Sequence, residues 1–78
     1  MYLIVSTNKS NSYDNVDKMI YEVLGVQGFV LNTISSGFFG ARDLEFSGPM
    51  VEKEVIEYMQ EVLREKTLDD TLKIYQSD

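Results

Sequence analysis

Apolar residues lead the chain. In Tyr2-Leu3-Ile4-Val5-Ser6, Leu3 and Val5 project to one side of an extended backbone, and Tyr2 and Ile4 project to the other. A strand that is apolar on both faces sits in the interior of a sheet, so this pattern predicts a central first strand. The polar stretch from Thr7 to Ser12 has the composition of a loop. Beyond it, Val16, Met19, Ile20, Val23 and Leu24 recur at the spacing of one helical face. Ser12 or Asp14 is the expected N-cap, Asp14 and Asp17 suit the first turn, and Gly25 is expected as the left-handed residue closing the helix.

Val26-Gln27-Gly28 then reads as a short turn into Phe29–Ser35, whose β-branched and aromatic residues predict a second strand. Ser36-Gly37-Phe38-Phe39-Gly40 is a glycine-bounded connection. In the segment Ala41–Phe46, Leu44 and Phe46 alternate with Asp43 and Glu45, which predicts a third strand with one core face and one wet face. Ser47-Gly48-Pro49 is expected to open a second helix with proline at its first position. Its apolar stripe is Val51, Val55, Tyr58, Met59, Val62 and Leu63, and Lys66 and Thr67 end it. Asp69-Asp70 marks a turn, and Leu72–Tyr75 a short last strand. The order β-α-β-β-α-β predicts a ferredoxin-like α+β fold, a four-stranded antiparallel sheet with two helices on one face, formed as a single domain over residues 1–78.

Helices on one face leave the other uncovered. The third strand offers that face Asp43 and Glu45, but the first two strands carry apolar residues on both sides: Tyr2 and Ile4 against Leu3 and Val5, Val30 and Ile34 against Phe29 and Leu31. An uncovered apolar patch marks an interface, so a homo-oligomer, dimer or trimer, is expected through one face of strands one and two.

Composition narrows the function classes. The chain has no cysteine and no histidine, which removes disulfides, thiolate sites, the commonest general base and the usual transition-metal ligand. Seven basic residues against thirteen acidic ones give a formal charge of -6. Such a domain is not drawn to nucleic acid or anionic lipid over its whole surface. No apolar run approaches the roughly 18 residues of a membrane span, and Met1–Val5 lacks the basic flank of a signal peptide. The expectation is a cytoplasmic, non-enzymatic protein with no cofactor and no metal.

Two segments carry candidate chemistry. Gly37, Phe38, Phe39, Gly40 and Arg42 combine glycines that allow close backbone approach, two rings that can stack on a base, and a guanidinium that can pair with phosphate. That combination suits a nucleotide-like ligand. The plain alternative is a tight hairpin with one Phe in the core and the other at an interface. Glu54, Glu57, Glu61 and Glu65 form an acidic stripe along the second helix. Such a stripe can mimic nucleic-acid phosphates and hold a basic protein, or be only the solvated face.

The run Gly25-Val26-Gln27-Gly28-Phe29 followed by Ser35-Ser36-Gly37-Phe38-Phe39 resembles the first half of the PII-like signalling proteins. The spacing Gly37-Phe38-Phe39, Ala41, Phe46, Gly48 is similar to that of the cyclic-di-AMP-binding PII-like receptors. The resemblance spans roughly residues 1–65. It implies a ferredoxin-like subunit, a trimer, and ligand sites between subunits near the connection of strands two and three. The chain departs from that pattern in lacking the long loop of classical PII proteins and their basic cluster, since only Arg42 and Arg64 are available. Val30 and Asp43 fall where the receptors would place polar, uncharged contacts. Two functions follow. The leading one is a PII-like regulatory module that senses a nucleotide. The other is a small acidic interaction protein, such as a phage-type inhibitor of a basic or nucleic-acid-binding host protein.

Overall fold

A computed structural model describes residues 1–8, 13–36 and 41–77. The elements run β1 (Tyr2–Thr7), α1 (Tyr13–Val26), β2 (Val30–Ser36), β3 (Arg42–Ser47), α2 (Lys53–Thr67) and β4 (Lys73–Ser77). The strands form one antiparallel sheet in the order β2-β3-β1-β4. β1 and β3 are therefore central, and the fold is the ferredoxin-like arrangement that the element order predicts.

One face of the sheet and the inner sides of both helices make the core. Leu3 and Val5 from β1, Leu44 and Phe46 from β3, Ile74 from β4, Val16, Ile20 and Leu24 from α1, and Met59 and Leu63 from α2 are all buried. Met19 and Val23, expected at the centre of α1's apolar face, are half-buried at its flank. Such close-packed burial contributes roughly 1.5–3 kcal/mol per large side chain.

α1 does not stop at Gly25. It continues to Val26, and Gly28 takes the left-handed conformation, with φ of +89°. The N–H of Phe29 donates to the Leu24 carbonyl and the N–H of Gly28 to that of Gly25, at 3.1 and 3.0 Å. This is the paired closure of a Schellman motif, with its apolar partners Phe29 and Leu24 both in the core. Phe29 is consequently a core residue of the turn, not the first residue of β2. Its ring lies where a Cβ on Gly48 would sit, 2.5 Å away, so position 48 has room only for hydrogen.

α2 opens at Lys53 with Glu52 as its N-cap, four residues later than the proline suggests. The N–H of Gly48 bonds the carbonyl of Met1 at 3.0 Å, which keeps the chain extended past the end of β3. Proline restricts the residue before it to extended conformations, in agreement with that path. Pro49 lies over Gly28 instead of starting the helix.

β2 contains an irregularity between Leu31 and Thr33. Leu31 pairs with Phe46 and Ile34 with Leu44, so both stand on the helix side. Val30 pairs with Ser47 and Thr33 with Glu45 on the open side. The extra residue of a bulge shifts the two-residue alternation by one, which moves Ile34 off the open face where simple alternation puts it.

At the other edge, α2 covers the start of β4. Gln60 accepts from the N–H of Ile74 at 3.0 Å, and Arg64 Nε donates to the Leu72 carbonyl at 2.7 Å. One backbone group of the edge strand and one of the residue just before it are thereby engaged by side chains.

Candidate functional site

Arg42 opens β3, and the register sets it beside Thr7 at the end of β1. Alternation along β3 points Arg42, Leu44 and Phe46 toward the helices and leaves Asp43 and Glu45 on the open face. Arg42 is 8 % exposed, and its guanidinium meets the Asp17 carboxylate of α1 at 2.6 Å. Thr7 is buried beside this pair, and its hydroxyl has no hydrogen-bond partner among the described residues. Asp17, expected to complement the helix dipole, instead ties α1 to the start of β3. Gly37, Phe38, Phe39 and Gly40 lie outside the described residues, as does the N-cap candidate Ser12. Of the nucleotide-site residues, the structure describes Arg42 alone, and it is turned inward.

The acidic stripe has the opposite character. Glu54, Glu57, Glu61 and Glu65 are all exposed along the outer side of α2. Lys53 approaches Glu57 at 4.0 Å and Arg64 approaches Glu61 at 3.4 Å, both exposed pairs of little energetic weight. The structure does not bring the stripe and Arg42 together, because α1 holds Arg42 while the stripe lies on the outward surface of α2.

Tyr58 changes the meaning of that stripe. Sequence periodicity assigns it to the core face, yet it is 65 % exposed, one helical turn from both Glu54 and Glu61. It sits at the border of the apolar arc, where a tyrosine satisfies the hydrophobic pattern without being buried. Beside it, an apolar hollow of about 150 Å³ separates the helices, lined by Val23, Val26, Gln27, Tyr58, Met59 and Val62. Val26, read from sequence as part of a turn, is the last residue of α1 and is 83 % exposed.

The stripe continues past the end of α2 into a broader hollow of about 600 Å³, bordered by Glu61, Arg64, Glu65, Leu68 and Asp70. Leu68 is 89 % exposed and adopts a left-handed backbone, with φ of 55°. In the turn beyond it, Asp69 accepts from the N–H and hydroxyl of Thr71 at 2.9 and 2.5 Å, and from the N–H of Asn8 at 3.2 Å. Burial pushes the Asp69 carboxyl up, but the bonds from Thr71, Asn8 and Leu72 outweigh it and hold the group below the usual carboxylate range.

The open sheet face is mixed. The register aligns Tyr2 with Ser47 and Ser77, Ile4 with Glu45 and Tyr75, and Ser6 with Asp43 and Lys73. Tyr2 and Tyr75 are each about half exposed, and the Lys73 ammonium lies 5.5 Å from the centre of the Tyr75 ring. Two carboxylates in the middle of this face oppose phosphate binding there.

No helix among the described residues is long and apolar enough to cross a membrane. Comparison with protein-family models, curated proteins and solved structures finds no match to the chain.

Proposed function

We propose that this protein is a non-catalytic interaction module that docks onto a basic protein partner through the outer face of α2. The observation that carries this reading is an exposed tyrosine set among exposed glutamates: Tyr58 with Glu54, Glu57, Glu61 and Glu65. Tyrosine is a frequent hot-spot residue because it offers a large contact area at low entropic cost. The surrounding carboxylates steer a positively charged surface toward it and disfavour acidic competitors. A role as an inhibitor of a nucleic-acid-binding protein belongs to the same class, since the stripe then stands where phosphates would.

The PII-like, nucleotide-sensing reading has less support from the geometry. Of the two arginines available to it, Arg42 faces inward against Asp17, and Arg64 lies on α2 with its Nε donating to the Leu72 carbonyl, so the structure gathers no basic cluster from them.

The test is affinity capture from the native host with the wild-type chain and with Glu57→Lys, Glu61→Lys, Glu65→Lys combined. A basic protein retained by the wild type, lost on charge reversal and released steeply by added salt is the expected result. Surface charge pairing is screened over about 8 Å at physiological ionic strength. Calorimetry against cyclic mono- and dinucleotides, ATP and ADP runs in parallel. Micromolar binding of any of these, together with indifference to the charge reversal, would overturn the proposal in favour of the sensor.

A further inference from the structure

We infer that the hollow between the C-terminal end of α1 and the middle of α2 is an anchor pocket for a basic amphipathic helix of the partner. This rests on the reading above and specifies how the partner is held.

The hollow has an apolar floor and no covering element among the described residues. Val23 and Val26 line it from α1, and Tyr58, Met59 and Val62 from α2. Its volume is about 150 Å³, and an apolar cavity on the order of 150 Å³ accepts a benzene-sized group. One Leu, Met or Phe side chain therefore matches it. Val26 and Tyr58 stand beside the opening with most of their surface in water, so an inserted side chain would remove apolar area on both partners.

Charge selects the occupant. On the α1 side, Glu22 is exposed one turn before Val26. On the α2 side, Glu54, Glu61 and Glu65 flank Tyr58. A second copy of this chain docking by the same surface would oppose these carboxylates to their own equivalents, which disfavours self-docking here. An anionic lipid surface is repelled for the same reason. A segment with one apolar face and Lys or Arg beside it satisfies both the floor and the rims. The groove lies between two helices, the setting in which an amphipathic helix lays its apolar face into a groove. The helical rise from Glu54 to Glu65 is about 16 Å at about 1.5 Å per residue, which matches roughly three turns of a partner helix.

Two synthetic helical peptides of equal length and equal positive charge separate the possibilities by fluorescence anisotropy. In one, leucines recur at i, i+4 and i+7 along a single face; in the other, the same residues are scrambled around the helix. The expected result is at least ten-fold tighter binding of the patterned peptide. Val26→Gln with Tyr58→Ala should erase that advantage, while Glu57→Lys, Glu61→Lys, Glu65→Lys should weaken both peptides. Val26→Gln alone, at a surface position, guards against misfolding and should remove a measurable part of the advantage with an unchanged urea midpoint. Equal binding of the two peptides overturns the pocket and leaves the acidic-face reading standing. Absence of binding by both at low salt overturns both.

Discussion

Arg42 on β3 and Asp17 on α1 form a nearly buried ion pair, nitrogen to oxygen 2.6 Å, that joins the first helix to a central strand. Removing one member of such a pair strands a charge away from water. Arg42→Ala or Asp17→Ala should therefore destabilise the fold by about 3–5 kcal/mol. Replacing both with apolar residues of similar volume should recover most of that loss. Urea denaturation of the two single variants and the double variant checks this, and single losses under about 1 kcal/mol would contradict it. An Arg42→Ala experiment aimed at ligand binding has to be read against this stability change.

Leu68 holds a left-handed backbone while its side chain is almost fully in water. That conformation costs a non-glycine residue roughly 1–2 kcal/mol, and little burial offsets it. Leu68→Gly should stabilise the protein, by about 0.5–1 kcal/mol once glycine's larger unfolded-state entropy is counted. A melting temperature that falls on this substitution would show that Leu68 makes contacts worth more than its strain.

The open sheet face remains the proposed surface for self-association, now with Tyr2, Ile4, Tyr75 and Val30 as its apolar members and without Ile34. Ile4 is central on that face, between Glu45 and Tyr75. Sedimentation of the wild type at micromolar concentration should show a dimer or trimer, and Ile4→Lys should yield monomer with the fold retained. A wild type that sediments only as monomer would remove this surface from consideration.

Asp69 gathers hydrogen bonds that favour its ionised form, so its folded pKa lies below the ordinary 3.8. The unfolded chain then binds the proton more readily, and stability rises with pH across the interval between the two values. The contribution is fully present above about pH 4 and is lost as pH falls through the folded pKa. Asp69→Asn should accordingly be less stable than the wild type at neutral pH, with the gap closing below that interval. Thermal melts of both proteins across acid pH measure it, and a gap independent of pH would assign the effect to geometry instead of charge.

The periodicities in the sequence determined the number, type and order of the elements. Apolar positions two apart in β1 and three or four apart in α1 reflect which faces must leave water, a local property of the chain. The central place of β1 and the wet Asp43 and Glu45 face followed from the same alternation. The acidic stripe was equally legible, because residues at helical spacing share a side wherever the helix is placed. Tertiary structure decided the rest. Whether Tyr58 is core or surface depends on how far α1 stands from α2, and no pattern within α2 contains that distance. The inward turn of Arg42 required Asp17, twenty-five positions away, to arrive on the same side of the sheet. The bulge in β2 reversed the face of Ile34, since one extra residue inverts a two-residue alternation and pairing with β3 determines where it falls. The late start of α2 follows the hydrogen bond from the Gly48 N–H to the Met1 carbonyl, between residues forty-seven positions apart that only the antiparallel pairing of β1 with β3 brings to the same end of the sheet.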